Sequence, residues 1–198
     1  MLYSNRGYIV VGAMLERLTK RSWEELMRQR LFRPLGMTSA GFGPTSTNAR
    51  RVEQPWPHVR QGGSWVAISP AEKPDNPPLV GPAGTVHCSM GDWAKYARFH
   101  LRAARGKERL LSLKACKILH SAPQGSEYAA GWIVAKRPWG GGNVLMHNGS
   151  NTLNYALIWI APQRNFATVV ATNNGDGFAV CNDTTSLLIE QVLQGKRK

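Results

Sequence analysis

The sequence predicts an α+β fold, an α/β/α sandwich in which an antiparallel sheet lies between layers of helices. Residues 143–151, 154–161 and 166–172 are rich in β-branched and aromatic residues and are separated by Gly, Pro and Asn. Such segments are typical of consecutive antiparallel strands joined by tight turns, and the last two are expected to form a hairpin. The runs 156–161 and 169–171 are continuously apolar, which indicates a sheet buried on both faces. Helices must therefore flank the sheet.

Two helices are predicted at the start of the chain. The first runs over residues 6–19 with Asn5 as its N-cap, and the second follows Ser22 as its N-cap. Glu25 stands three residues after Ser22, which is the spacing of a capping box, and the second helix is expected to end before Pro34. The apolar stripe of the first helix consists of Tyr8, Val11, Leu15 and Leu18.

The middle of the chain is predicted to be less regular. Residues 38–82 combine many Pro, Gly, Ser and Asn residues with isolated tryptophans, and so long an irregular segment in a compact domain is usually functional or disordered. A helix is predicted after Ser89, its N-cap, with Asp92 near the positive end of the helix dipole. His87 is interpreted as a turn residue, and residues 110–120 are predicted to form a short helix.

The remaining elements frame the three sheet segments. Residues 128–136 are predicted to form a strand, followed by a turn at residues 138–142. A final helix is predicted over residues 178–193 and is expected to pack across the sheet. One side of this helix carries Val180, Thr184, Leu187, Leu188, Gln191 and Val192.

Composition indicates one globular domain with a basic surface. The chain has 198 residues, 42% of them hydrophobic, and a net charge of +13. The basic residues are spread through helical stretches, and only Lys196-Arg197-Lys198 forms a run. No nucleic-acid-binding motif accompanies the charge, so solvated helical faces are favoured over nucleic-acid binding. A substrate that carries a carboxylate would also benefit from a basic protein.

Neither a metal, a cofactor nor a membrane span is expected. Cys88, Cys116 and Cys181 lack the spacing of a zinc site or of a disulfide framework. No apolar run approaches the roughly 18 residues that a membrane-spanning helix requires. The first residues show neither the basic segment nor the isolated apolar run of a signal peptide, and the sequence leaves the compartment open.

Short motifs at opposite ends of the sequence carry a resemblance to a known family. Residues 1–20 contain the Tyr-x-Asn motif Tyr3-Ser4-Asn5, Pro34-Leu35-Gly36-Met37 follows, and the first sheet segment contains His147-Asn148-Gly149-Ser150. Together these stretches resemble the serine β-lactamase and DD-peptidase superfamily, in particular its class C β-lactamase branch, which also holds D-aminopeptidases and β-lactamase-fold esterases. The resemblance covers nearly the whole chain, residues 1–198, as a single domain in which residues 38–82 would line the substrate cleft.

The resemblance implies acyl transfer through a serine ester. Tyr3 would share the acid–base work with the lysine of the family's Ser-x-x-Lys motif, and Asn5 would hydrogen-bond that lysine and the substrate. His147, at a position where many relatives have Lys, would help hold a substrate carboxylate and Tyr3. Residues 148–150 would bind substrate, and backbone N–H groups of this strand would supply half of the oxyanion hole.

The family's nucleophile motif does not occur in the sequence. No serine or threonine is followed three positions later by lysine. The most economical interpretation is an N-terminally truncated domain that is inactive alone. In the family, the segment that would be missing supplies strands beside residues 166–172. Without those strands, residues 166–172 are expected to form an apolar sheet edge that favours self-association.

Three functions stay open at this point. The favoured one is a serine hydrolase that acts on a β-lactam, a D-amino-acid peptide or a carboxylic ester through an acyl-enzyme. The second is a non-catalytic relative that keeps the fold as a binding or scaffolding module. The third is a basic nucleic-acid-binding domain, whose mark would be a steeply salt-dependent retention on DNA.

Overall fold

The chain alternates short helices and strands before it ends in a four-stranded sheet and a long helix. The computed structural model describes residues 3–195, and the basic tail Lys196-Arg197-Lys198 lies outside them. The helices are α1 (Asn5–Thr19), α2 (Trp23–Met27), α3 (Arg33–Leu35), α4 (Gly81–Gly84), α5 (Met90–Ala103), α6 (Leu113–His120) and α7 (Phe178–Gly195). The strands are β1 (Gly41–Phe42), β2 (His58–Gln61), β3 (Ser64–Ala67), β4 (Val86–His87), β5 (Ile133–Arg137), β6 (Gly142–Ser150), β7 (Tyr155–Ala161) and β8 (Phe166–Thr172).

Strand β7 is buried on both faces and organises the central sheet. The sheet has the order β5-β6-β7-β8, and each neighbouring pair is antiparallel. Along β7, Ile158 and Ile160 belong to one core cluster, whereas Leu157 and Ala161 belong to two others. All four side chains are at most 4% exposed. Because successive side chains of a strand point to opposite faces, this pattern requires a covering layer on each side.

Helices α5 and α7 supply the two covering layers. Ala97 and Leu101 of α5 pack in the same cluster as Ile158. Cys181 and Ile189 of α7 pack in the clusters on the opposite face. The predicted α/β/α sandwich is therefore confirmed, and β7 and β8 form the predicted hairpin.

The buried face of α7 differs from the predicted one. Cys181, Thr185 and Ile189 are buried at a spacing of one helical turn. Val180 and Leu187, which the sequence placed on the packing side, are 54% and 62% exposed. Apolar residues occur on several sides of α7, so hydrophobicity does not single out a face, and the small Cys181 and Thr185 turn out to lie against the sheet.

Helix α1 begins one residue earlier than predicted and docks through a glycine. Ser4, and not Asn5, is the N-cap, and its Oγ accepts the N–H of Gly7 at 3.4 Å. Gly12 is buried, and a Cβ on it would lie 2.5 Å from Cγ of Pro82, so the close contact with α4 requires glycine. The predicted apolar stripe is left largely exposed, with Val11, Leu15 and Leu18 at 54%, 43% and 78%.

Ser22 caps α2 as predicted, but the helical path does not end before Pro34. Ser22 Oγ accepts the N–H of Glu25 at 3.1 Å. A π-helical segment, Arg28–Phe32, then leads into α3, which contains Pro34 and ends at Gly36 with a φ of 65°. Pro34 thus lies in the short helix that follows the π-helical segment, and the helical path ends two residues after it.

Residues 38–82 contain more regular structure than predicted. Strands β2 and β3 form a hairpin whose turn residues Gly62 and Gly63 have φ values of 56° and 87°. Paired glycines between two short strands are a hairpin signal, because both turn positions need positive φ. His87 lies in β4, which pairs with β1, and its Nδ1 is 2.8 Å from the carbonyl oxygen of Gly43. It is therefore a structural strand residue rather than a turn residue.

Strand β5 begins later than predicted. Gly131 makes a turn with a φ of 92°, and a single bridge joins Tyr128 to Ile133.

The predicted cap of α5 is present, since Ser89 Oγ accepts the N–H of Asp92 at 3.2 Å. Among residues 3–195, no helix has both the length and the apolar composition needed to cross a bilayer.

Asp92 also anchors α5 to the segment that follows α3. Its Oδ2 accepts both the N–H and the hydroxyl of Ser39 at 2.6 Å, and its Oδ1 lies 2.6 Å from Nζ of Lys95. These hydrogen bonds, that of Lys95 foremost, lower the pKa of Asp92 to about 2. The sequence predicted only a favourable interaction with the helix dipole.

His100 is a buried histidine in the α5 layer. It is 3% exposed, lies between aromatic rings, and has its Nδ1 2.8 Å from Nε2 of His120. Its own Nε2 is buried without a hydrogen-bond partner in the described part of the chain. Burial, and then the neighbouring His120, lower the pKa of His100 to about 3. His100 is therefore neutral at neutral pH.

This burial makes the stability of the protein sensitive to acid. The unfolded chain binds a proton at His100 below pH 6.5, whereas the folded chain does so only near pH 3. We expect the free energy of unfolding to fall by about 1 to 2 kcal/mol between pH 7.5 and 5 from this group alone. Urea denaturation at both pH values measures it. His100→Leu should lessen the decrease, and an unchanged decrease in that variant would contradict the assignment.

Candidate active site

The two motifs singled out from the sequence meet at one pocket. The N-terminal end of α1 brings Tyr3 and Asn5 there, and the last residues of β6 approach from the sheet. The pocket has a volume of about 380 Å³. It is lined by Tyr3, Asn5, Asn76, Val80, Ala83, Tyr128, Ile133, His147, Asn148, Gly149 and Ser150. Every residue that the sequence analysis assigned to the site therefore borders the same space.

Tyr3 stands at the mouth of the pocket. It precedes the cap of α1 and is 49% exposed. Its ring centroid lies 6.0 Å from those of Tyr8 and Tyr128 and 5.9 Å from that of His147. Burial against these rings, and then the neighbouring Tyr8, raise the pKa of Tyr3. The side chain is therefore a protonated phenol at neutral pH.

Asn5 offers an unengaged amide at the same edge. It is the first residue of α1 and is exposed. Among residues 3–195, no group forms a hydrogen bond with its side chain. The amide therefore presents both a donor and an acceptor to a ligand in the pocket.

His147 is held by a tyrosine that the sequence analysis did not assign to the site. Its Nε2 lies 2.9 Å from the hydroxyl of Tyr128, which lies 2.6 Å from the hydroxyl of Tyr8. Burial lowers the pKa of His147, and a hydrogen bond with the backbone of Asn148 acts in the opposite direction. His147 is neutral at neutral pH, so it does not provide the positive charge that a lysine in its place would carry.

Asn148 and Ser150 are engaged within the protein. Asn148 Nδ2 donates to the hydroxyl of Tyr155 at 2.5 Å. Ser150 Oγ donates to the carbonyl of Gly175 at 3.3 Å and accepts the N–H of Thr152 at 2.9 Å. These contacts shape the end of β6. The hydroxyl proton of Ser150 goes to a carbonyl and not to a base, which is unlike the arrangement of an activated nucleophile.

Gly149 leaves open space beside the strand. A Cβ on Gly149 would have no atom within 4 Å. The residue is paired with Ala156 of β7, so its backbone is fixed by the sheet. A ligand therefore has room to lie against the backbone of β6, which is where backbone N–H donors to a developing oxyanion would be needed.

A second, larger cavity borders the same end of β6. It has a volume of about 1010 Å³, and Gly149 and Ser150 line both spaces. Trp56 and Trp93 contribute to its mainly apolar walls. Several of its lining residues come from the segment 38–82.

Fixed positive charges are kept away from both spaces. Among residues 3–195, no Lys or Arg lines either of them, although the chain carries a net charge of +13. Asp75, an acidic side chain in the wall of the larger cavity, accepts a hydrogen bond from Asn151 Nδ2 at 2.8 Å. Within residues 3–195, no three or more His, Cys, Asp or Glu side chains come together in a group that could hold a metal ion. A ligand here meets mainly neutral hydrogen-bonding groups.

The chain is similar to known proteins over most of its length. The sequence matches the beta-lactamase family over residues 1–190. Penicillin-binding protein 4 of Amycolatopsis lactamdurans is 28% identical over 183 residues, which cover 87% of this chain and 47% of that protein. The match thus extends over nearly the whole chain but over less than half of this relative.

Solved structures that share the fold include a penicillin-binding protein homologue and a D-amino acid amidase. The octameric penicillin-binding protein homologue from Pyrococcus abyssi has a TM-score of 0.73 and 20% identity, covering 96% of this chain and 43% of that one. The D-amino acid amidase from Ochrobactrum anthropi SV3, solved with L-phenylalanine amide, has a TM-score of 0.74 and 18% identity, covering 100% and 59%. The chain thus spans about half the length of these proteins. With its match over residues 1–190, it belongs to the beta-lactamase family, within the superfamily of serine β-lactamases and DD-peptidases.

Proposed function

We propose that this chain provides the acid–base and substrate-strand side of a serine-hydrolase site that acts on amide or ester bonds. The observation that carries the proposal is that Tyr3 and Asn5, from one end of the chain, share a pocket with His147 near the other. Membership of the family supports acyl transfer as the reaction class.

Tyr3 is proposed to exchange a proton with the reacting groups. Its phenol is partly exposed at the mouth of the pocket, and its raised pKa keeps it protonated until a positive group approaches. A lysine from a Ser-x-x-Lys motif would be such a group. Asn5 would then hydrogen-bond that lysine or the substrate, and the backbone at Gly149 would supply one donor of the oxyanion hole.

The nucleophile is proposed not to be among the serines of this chain. No serine or threonine is followed three positions later by lysine, and Ser150 in the pocket donates to a carbonyl. We infer that the chain does not form an acyl-enzyme by itself. A non-catalytic binding module, favoured by the same observation, is the second candidate function, and it would bind its ligand without turnover.

Amides of D-amino acids and β-lactams are the proposed substrate classes, followed by carboxylic esters. A D-amino acid amidase and penicillin-binding proteins are among the similar proteins, and their names point to these classes. The family resemblance and the basic composition imply a substrate that carries a carboxylate. Since His147 is neutral and no Lys or Arg of residues 3–195 lines the pocket, we propose that neutral donors such as Asn5 would hold a carboxylate.

Ligand binding tests the proposed site without requiring turnover. We expect D-phenylalanine amide or benzylpenicillin to shift the NMR signals of Tyr3, His147 and Gly149 in a saturable way. Tyr3→Ala and His147→Ala should each weaken binding by about 5- to 10-fold, because each removes contacts of about one hydrogen bond. His58→Ala, which changes a histidine outside the pocket, is the matched control. Absence of shifts, or an equal loss in the control, would refute the site.

Strand β8 forms an open edge of the central sheet. Among residues 3–195 it pairs with β7 and with no other strand. It carries no charged residue, whereas β5 at the opposite edge ends in Lys136 and Arg137, both exposed. Charges on an edge strand discourage pairing with another chain, and their absence favours it. We propose that two copies of the chain associate through β8.

A lysine on this edge should weaken the association. Ala171 of β8 is exposed at the open wall of the larger cavity, so Ala171→Lys adds a charge to this end of the edge strand without burying it. Sedimentation velocity over a range of protein concentrations should show reversible association of the parent chain and less of it in Ala171→Lys. Ala104→Lys adds the same charge at an exposed position after α5 and should behave like the parent. A parent chain that is monomeric at all concentrations would contradict the proposal.

A further inference from the structure

Two tyrosine hydroxyls and a histidine form a hydrogen-bonded chain that links α1 to β6. The hydroxyl of Tyr8 lies 2.6 Å from that of Tyr128, although the two residues are 120 positions apart. The hydroxyl of Tyr128 lies 2.9 Å from Nε2 of His147. All three side chains are half-buried, and Tyr128 and His147 both line the smaller pocket.

Hydrogen bonds between its backbone and Ser126 hold Tyr128 in place. Its N–H donates to Oγ of Ser126 at 3.0 Å, and that hydroxyl donates back to the carbonyl of Tyr128 at 3.3 Å. A bridge to Ile133 closes the turn that leads into β5. The tyrosine therefore projects from a fixed turn, and a group that orients another side chain needs this kind of support.

The direction of the hydrogen bonds among Tyr8, Tyr128 and His147 is coupled to the tautomer of His147. Each hydroxyl has one proton, and a neutral imidazole carries one proton on one of its two nitrogens. If Nε2 accepts, Tyr128 donates to it and Tyr8 donates to Tyr128. If Nε2 carries the proton, both hydroxyls turn round. A change of tautomer at His147 therefore requires the hydroxyl of Tyr128 to reorient, and that of Tyr8 as well if the proton of Tyr128 is to keep a partner.

We propose that Tyr128 is a positioning residue of the acyl-transfer site, which fixes the ring and the tautomer of His147 and, through Tyr8, ties them to the helix that presents Tyr3. This inference rests on the proposed function, since it assigns Tyr128 a role within that site. The ring of Tyr3 packs against all three members of the chain, at centroid distances of 5.9 to 6.0 Å. Tyr3 therefore packs beside His147 against rings that these hydrogen bonds hold together.

The neutral state of both bonded groups fits this role. Burial, and then the hydrogen bond with Tyr8, raise the pKa of Tyr128. Burial lowers the pKa of His147. Both groups are therefore uncharged at neutral pH, so His147 carries a single proton and has a tautomer for the hydrogen bond to select.

The tautomer of His147 is the direct readout. Long-range ¹H–¹⁵N NMR spectra of the 198-residue chain at pH 8 distinguish the two neutral forms of each imidazole. We expect one dominant tautomer of His147 in the parent chain and two exchanging tautomers in Tyr128→Phe, which keeps the ring but loses the hydroxyl. Tyr155→Phe removes the hydroxyl that binds Asn148 and does not touch His147, so its tautomer should match the parent.

Tyr8→Phe is a second variant, and it keeps the hydrogen bond between Tyr128 and His147. It should give an intermediate result, because the hydroxyl of Tyr128 loses its other partner and is freer to turn. A single unchanged tautomer in Tyr128→Phe would overturn the proposal, and if that variant does not fold, an unchanged tautomer in Tyr8→Phe would do so.

A ligand titration separates this proposal from the proposed function. Tyr128→Phe should weaken binding of D-phenylalanine amide by about 2- to 10-fold, the range expected for loss of one supporting hydrogen bond. If Tyr128→Phe changes the tautomer of His147 while neither the parent nor any variant binds ligand, the positioning role of Tyr128 is supported and the proposed function is refuted. If ligand binds and the tautomer does not respond, the proposed function stands and the role of Tyr128 is refuted.

Discussion

The burial of β7 on both faces is the constraint on which the rest of the structure depends. Its alternating side chains require α5 on one side and α7 on the other, and both helices supply small or apolar residues there. With β7 fixed, β6 is fixed beside it by a register that runs from Leu145 to Ser150. The candidate site is the free end of that strand, so its geometry follows from the packing of its neighbour.

The second half of the site depends on one close contact. Helix α1 lies against α4 through Gly12 and Pro82, which places its first turn beside the end of β6. Tyr8 and Tyr128 then join the two elements by hydrogen bonds. The result is an uncharged pocket in a strongly basic protein, because burial keeps His147 neutral and the lysines and arginines of the described chain line other surfaces. Such a site selects ligands by hydrogen bonding and shape.

Residue type and spacing predicted many of the individual elements, but they could not predict contacts between residues that are distant in sequence. The bounds of β8 and the caps at Ser22 and Ser89 follow from residue type and spacing. The bond between Tyr8 and Tyr128 could not be predicted, because nothing in either local sequence specifies a partner 120 positions away. The packed face of α7 was missed for a related reason: small residues line it, and their burial depends on how closely the helix approaches the sheet.

The central claim is that α1 and β6 form the acid–base and substrate-strand side of an acyl-transfer site whose nucleophile is not among the serines of this chain. The most direct test is intact-mass spectrometry after incubation with a fluorescent penicillin and with a fluorophosphonate. The account predicts an unchanged mass with both reagents. A stoichiometric adduct on any serine would contradict it, because the nucleophile would then be a serine of this chain.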